Sequence, residues 1–179
     1  KTRKGADVQN KAERDATIKS EKKTWEDELN TWTHEKDPYS MDMIKDSKAM
    51  HPREMLRAIE KALPKNSMVS TDIGNICSVS NSYLRFDEPR SMFAAMSFGN
   101  CGYAFPVAIG AKIAAPNRPA FAYVGDGAWG ISLNELLTCA REKIGVTVIL
   151  FNNGQWGAEK KNHVDFYSRR YQGVELVNP

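Results

Sequence analysis

Two short runs, Gly125-Asp126-Gly127 and Asn152-Asn153-Gly154-Gln155, hold the polar groups best placed to act together. The first follows Ala122-Tyr123-Val124 and reads as a strand leaving into a tight turn, with a helix expected to begin near Ser132. Glycine lets a backbone approach a bound group closely, and a helix start presents unpaired N–H groups with a partial positive charge. A phosphate is therefore expected there. A bare carboxylate at Asp126 would repel that phosphate unless a cation stood between them. Magnesium resolves the conflict, because it takes hard oxygen ligands, one or two from protein and the rest from phosphate and water. With 24 residues between Gly127 and Asn152, one crossover helix and a return strand fit. Both turns then emerge side by side at the carboxyl edge of a parallel sheet. The Asn153 amide oxygen reaches the ion of Asp126, and a sharp turn at Gly154 aims the main-chain carbonyl of Gln155 at it.

Gly125, Gly127 and Gly130 also satisfy G-x-G-x-x-G, the fingerprint of a dinucleotide-binding turn. A nicotinamide-dependent dehydrogenase domain is thus the alternative from another class. That reading wants an acidic residue at the end of the next strand to hold ribose hydroxyls, whereas this chain has Asn152 and Asn153. It would also press a pyrophosphate against Asp126 without a metal. No G-x-x-x-x-G-K-[ST] loop occurs. His34, His51 and His163 lack metal-ligand spacing; His163, next to Lys160-Lys161-Asn162, is near enough to Gln155 to line a cleft. Trp129 and Trp156 each follow one of the two turns, and either wall the site or pack the core.

The elements that must place these groups alternate in period. Residues 67–71, 121–124 and 146–151 read as strands, the last so continuously apolar that it is expected to be buried on both faces. Helical patterns fall between them. One opens at His51-Pro52, lines up Met55, Leu56, Ile59 and Leu63 and stops at Pro64; others span about 75–84, 103–115 and 131–143. The alternation predicts an α/β fold, a parallel sheet flanked by helices, with ligands beyond the carboxyl ends of the strands. Residues 1–50 read as a charged helix, with Trp25, Leu29 and Trp32 on one narrow stripe, and a linker from about 36 to 50. The domain itself is expected over 51–179.

Composition narrows the classes further. The 25 basic and 22 acidic residues are intermingled and give no basic stripe for nucleic acid. No apolar run approaches the roughly 20 residues of a membrane span. Cys77, Cys101 and Cys139 suggest neither a disulfide framework nor a zinc knuckle. A soluble, cytoplasmic protein is expected. The chain starts at Lys1 with no secretion leader and reads as a fragment.

A Gly-Asp-Gly turn followed about two dozen residues later by Asn-Asn, each after a strand, resembles the metal and diphosphate motif of thiamine diphosphate enzymes. By position the resemblance implies Asp126, Asn153 and the Gln155 carbonyl as metal ligands, and Gly125, Asp126, Gly127, Ala128 and Trp129 as the diphosphate turn. Thr71-Asp72-Ile73-Gly74-Asn75 is similar to the turn with which decarboxylases and synthases of the family grip the diphosphate, here on Gly74 and Asn75. Ser97-Phe98-Gly99-Asn100-Cys101-Gly102-Tyr103 resembles the family's aminopyrimidine loop. It implies contacts at Gly99 and Asn100, and Cys101 where many members wedge a large aliphatic residue or Met under the ring.

Longer stretches, HPREMLRAIEKALP, NSYLRFDEPRSMFAAMSFGNCGYAFP and QWGAEKKNHVDFY, resemble the sulfoacetaldehyde acetyltransferases within that family. This implies a magnesium- and thiamine diphosphate-dependent enzyme of taurine and organosulfonate catabolism, a homodimer or homotetramer when full-length. Its reaction would turn sulfoacetaldehyde and phosphate into acetyl phosphate and sulfite. An acetohydroxyacid synthase or 2-oxo acid decarboxylase, with the same cofactor residues, is the alternative. Arg85, Arg90, Lys160 and Lys161 are candidates, by charge, for the anionic substrates. The family's activating Glu belongs to a pyrimidine-binding domain, and no segment here reads as one. The fragment, expected to be truncated also at its C-terminus, is expected to be inactive alone.

Overall fold

The computed structural model describes residues 11–31, 50 and 52–177, and the chain divides into two compact units, Lys1–His51 and Pro52–Pro179. In the first, α1 (Lys11–Thr31) buries no residue. Its sequence is charged nearly all round, and Trp25 stays 52% exposed. Trp32, His34, His51 and most of the linker lie outside the described residues.

The second unit is built on four parallel strands, β1 (Met68–Thr71), β2 (Met92–Ala94), β3 (Ala120–Gly125) and β4 (Thr147–Phe151), in the order β2-β1-β3-β4. Around them run α2 (Pro52–Ala62), α3 (Asn75–Tyr83), α4 (Ala104–Ala114), α5 (Asp126–Ser132), α6 (Glu135–Glu142) and α7 (Gly157–Phe166). The parallel sheet flanked by helices is as the alternating period predicted. All four residues of β1 are buried, so the centre of the sheet is apolar or small on both faces. Helix α4 fixes one face: Ala104, Phe105, Ala108 and Ile109 recur at helical spacing and pack with Ala122 and Val124. Truncating a ring as buried as Phe105 costs about 3–5 kcal/mol, and this packing is what pins the start of α4 at the carboxyl edge.

From β1 the chain steps outward to β2, then crosses to the other side of β1 for β3 and on to β4. The direction of winding therefore reverses between β1 and β3, and a crevice opens beyond their carboxyl ends. The Asp72 N–H donates to the Tyr123 carbonyl at 2.9 Å, which carries the pairing one residue beyond β1 at the floor of that crevice.

Three expectations need correction. Strand β2 is unforeseen, because three residues after a left-handed Arg90 (φ 55°) are too short to reveal a period. The helix after β3 begins at Asp126 rather than near Ser132. It runs seven residues, and α6 resumes at Glu135 after a break at Leu133-Asn134. Gly125 serves as its N-cap, so the whole turn lies in the first turn of helix. Strand β4 is not buried on both faces: Thr147 is exposed and Leu150 is 41% exposed, since no strand among the described residues pairs with its outer edge. No helix among the described residues is long and apolar enough to cross a membrane.

Candidate cofactor and metal site

The turns after β3 and β4 meet as their spacing predicted. Asp126, the first residue of α5, accepts the Gly154 N–H on Oδ2 at 2.8 Å. The same N–H lies 3.2 Å from Asn152 Oδ1, and Gln155 N–H donates to Asn153 Oδ1 at 3.2 Å. Both amides thus bond two residues ahead, the local pattern that makes Asn a turn former. Gly154, directly after the two asparagines, adopts φ 66°, a conformation that costs a side-chain-bearing residue. The second glycine of the β3 turn has a different reason. A Cβ on Gly127 would stand 2.6 Å from the Trp156 ring, so only glycine admits the indole that locks one turn over the other.

Gln155 is oriented from outside. It forms an isolated antiparallel pair with Glu175, flanked by Trp156 N–H to Val174 carbonyl and Leu176 N–H to Gly154 carbonyl, both at 2.8 Å. In such a pair the central residue's own N–H and carbonyl point away from the partner segment, so the Gln155 carbonyl lies outside the ladder. Lys160 of α7 closes the arrangement, its Nζ 2.7 Å from both Gln155 Oε1 and Glu175 Oε1.

Helix starts converge on the same place. Neither Gly74 before α3 nor Trp156 before α7 makes a side-chain cap bond, and neither does Gly125 before α5. Gly74 has φ 111°. The side-chain amide nitrogens of Asn153 and Asn75 lie 3.0 and 3.5 Å from where a Cβ on Gly157 would sit. Asn75, predicted to grip the diphosphate, and Asn153, predicted as a metal ligand, are therefore neighbours across the first residue of α7. Main-chain N–H groups left uncapped by side chains at neighbouring helix starts suit an oxyanion.

The loop before α4 closes the β1 side. Gly99 and Gly102 have φ 73° and 80°, Gly99 and Asn100 are exposed, and Cys101 is half-buried. Burial, then the charges of Asp72 and Glu159, push the Cys101 thiol upward. Asp72, singled out for no role by its sequence context, is fully buried and receives three backbone N–H groups. Its one sequence signal is an acid placed between an apolar strand and a glycine turn.

Other candidates fall elsewhere. Trp129 packs edge-on against Phe105 at 5.2 Å and Ala128 is 4% exposed, so both side chains serve the core while their backbone stays in the first turn of α5. Trp156 does face the turns. Arg85 follows the far end of α3 and Arg90 precedes β2, which puts both at the amino edge of the sheet. Lys161 pairs with Asp165 along α7. The His163 ring rests on Tyr167 and Tyr171 with a buried Nδ1 that has no hydrogen-bond partner. At Gly130 a Cβ would meet nothing within 4 Å, so the close helix approach that the third glycine of a dinucleotide fingerprint serves is absent. Among the described residues no three His, Cys, Asp or Glu cluster as metal ligands. The donors at hand, a carboxylate, an amide and main-chain carbonyls, are hard oxygens that suit magnesium rather than zinc.

Comparison with known proteins identifies the family. Residues 72–179 match the model of the thiamine pyrophosphate enzyme C-terminal TPP binding domain. The chain is 63% identical over 172 residues to the sulfoacetaldehyde acetyltransferase of Castellaniella defragrans, covering 93% of this chain and 29% of that protein. It is 62% identical over 175 residues to the sulfoacetaldehyde acetyltransferase of Alcaligenes xylosoxydans xylosoxydans, again covering 93% and 29%. Among solved structures, the Rhodococcus jostii RHA1 thiamine diphosphate-dependent 4-hydroxybenzoylformate decarboxylase superposes with a TM-score of 0.69 at 22% identity, over 74% of this chain and 25% of that one. That likeness is one of fold. The chain spans about 29% of the length of the curated relatives it matches. The matched region begins at the end of β1 and contains both turn pairs, and by that match the chain belongs to the thiamine pyrophosphate enzymes, over their C-terminal TPP-binding domain.

Proposed function

We propose that this chain is the diphosphate- and magnesium-binding part of a cytoplasmic acyltransferase that converts sulfoacetaldehyde and phosphate into acetyl phosphate and sulfite. The observation that carries the metal site is the 2.8 Å bond from Gly154 N–H to Asp126. It puts a carboxylate of one turn against the Asn153-Gln155 backbone of the other, among helix starts without side-chain caps. An acid there is tolerated beside a diphosphate only if a cation neutralises it, so the residues fit the pair of groups. Asp126, Asn153 and the Gln155 carbonyl hold magnesium; Gly74, Asn75 and the Gly125–Gly127 turn hold diphosphate oxygens; Gly99, Asn100 and Cys101 meet the pyrimidine. Bound there, thiamine diphosphate supplies an electron sink and carbanion chemistry, while the protein supplies position and electrostatics. The choice of substrate rests on the names of the two relatives above 60% identity.

Lys160, one of the four charge candidates, reaches a predicted ligand residue through the Gln155 side chain. The activating carboxylate is expected from another part of the full-length protein, and with it the oligomer that completes the cleft. The test is sulfite release from sulfoacetaldehyde by the full-length protein, with and without phosphate. Phosphate-dependent sulfite is expected there, and no turnover from the 179-residue chain alone. Carbon dioxide from pyruvate with no sulfite would make it a synthase or decarboxylase instead.

A further inference from the structure

We infer that Asp72 is a positioning residue: its buried carboxylate fastens the loop of residues 99–103 and the start of α4 to the end of β1, and so sets where Gly99 and Cys101 stand in the cleft. Asp72 is 0% exposed. Its Oδ1 accepts the N–H of Gly102 at 2.9 Å and of Ile73 at 3.2 Å, and its Oδ2 accepts the N–H of Ala104 at 3.0 Å. Two of those donors lie 30 and 32 residues along the chain. A carboxylate withdrawn from water is costly unless hydrogen-bonded, and burial does raise the Asp72 carboxyl while the backbone N–H groups oppose that rise. The arrangement makes sense as a fastener for something that would otherwise move.

The loop is such an object. Positive φ at Gly99 and Gly102 means that sterics alone do not choose its path, and Phe98 is 91% exposed. Its local main-chain ties are Gly99 N–H to the Ala95 carbonyl at 3.0 Å and Val107 N–H to the Tyr103 carbonyl at 3.2 Å, one at each end. Helix α4 lacks a side-chain cap of its own, because Tyr103 makes no side-chain bond; Asp72 fills that role from the turn after β1. The N–H groups it grips flank Cys101 and Tyr103. Gly102 in turn presses on Ile131 of α5, where a Cβ would come within 2.8 Å, so the anchored loop also bears on the helix that begins with Asp126. The consequence for the cofactor rests on the proposed function; the anchoring does not.

Hydrogen exchange and cofactor titration on the full-length protein separate the two. In the unmodified protein the amides of Gly102 and Ala104 should be protected like those of β3, although exposed Gly99 and Asn100 adjoin them. In Asp72→Asn, which keeps one accepting oxygen and turns an NH2 group on the donor at the other, at least one of those two amides should exchange about 10- to 100-fold faster, the range that follows from losing a bond to a charged group, with β3 unchanged. Thiamine diphosphate should bind about tenfold more weakly or worse, with the magnesium requirement intact. Loop-rate exchange at Gly102 and Ala104 in the unmodified protein overturns the inference without any variant, should the variant not fold. Unchanged exchange or unchanged cofactor affinity in Asp72→Asn overturns it too. If the unmodified protein binds no thiamine diphosphate, the proposed function fails, and the exchange rates still judge the anchor.

Discussion

Asp72 and Asp126 occupy equivalent places in two strand–turn–helix units, and the proposed function and the inferred anchor put them to opposite uses. Each directly follows its strand, and each accepts main-chain N–H groups from the loop about 30 residues further on: Gly102 and Ala104 for the first, Gly154 for the second. Asp72 is sealed from solvent, with backbone N–H groups on both oxygens. Asp126 is half-buried at the open edge, in the first turn of a helix whose N-cap makes no side-chain bond. Residue type and position along the strand do not separate an acid that fastens scaffold from one that holds an ion. Burial and the count of backbone donors do, because a carboxylate sealed from solvent with most of its lone pairs given to N–H groups has little left to offer a cation.

Removing the less buried member of the pair should give the larger loss at the site and the smaller loss to the fold. Asp126→Ala is expected to abolish magnesium-dependent thiamine diphosphate binding in titration calorimetry, by more than the roughly 10- to 100-fold that loss of a supporting group costs a metal site. Its unfolding midpoint should hardly move, since a half-buried side chain at a helix start is replaced by a good helix former. Retained binding within tenfold would break the contrast and remove Asp126 from the ligand set.

The two halves also differ in why their glycines are glycine. Gly127 has no positive φ, and its constraint is the Trp156 ring at 2.6 Å from a would-be Cβ. Gly102 combines φ 80° with Ile131 at 2.8 Å. Gly127→Ala and Gly102→Ala should each destabilise by about 1–3 kcal/mol, the cost of overpacking, read as a shift in denaturant midpoint. Trimming the neighbour distinguishes them. Trp156→Leu should restore most of the Gly127→Ala loss, while Ile131→Ala should restore only part of the Gly102→Ala loss, because backbone strain remains. Equal rescue at both would show that φ carries no weight in the pyrimidine-side loop.

The meeting of the Asp126 and Asn153 turns was legible in the sequence and the other half of the cleft much less so, for a physical reason. Asp126 and Asn153 are joined by one crossover of fixed length between two adjacent strands, so spacing alone brings them together. The link from Asp72 to Gly102 and Ala104 passes through β2, three residues with no detectable period, and spacing predicts nothing across it. The strands of the unit were readable to within one residue except β2, whereas the helix after β3 was placed late because its first turn is also the glycine turn. The meeting of Asn75 with Asn153 at Gly157 needs two helix starts and the turn after β4 in one place, which no single stretch encodes. Trp129 and Trp156 follow equivalent turns and look alike in sequence, yet one packs on Phe105 and the other on Gly127; the helical phase after each turn decides.

The weakest hold on the site belongs to α7 and the segment that crosses it. Lys160 joins Gln155 Oε1 to Glu175 Oε1 and lies 5.2 Å over the Tyr171 ring, but Glu175 is 65% exposed, so solvent screens the pair. Lys160→Met keeps the apolar stem against the ring and removes the charge. Its effect on stability should stay within the about 0–1 kcal/mol of exposed ion pairs. The main-chain bonds of Gly154 and Trp156 to Leu176 and Val174 continue to hold the Gln155 carbonyl, so magnesium affinity should fall by no more than about fivefold, the equivalent of 1 kcal/mol. Glu175→Gln should reproduce that small change, because it loosens the same latch from its other end. A loss at Lys160→Met as large as that at Asp126→Ala, with Glu175→Gln silent, would mean that the ammonium meets a bound anion directly. The electrostatic work at this edge would then be divided between Asp126 and Lys160, and the division between a ligand acid and its scaffold would have to be redrawn around α7.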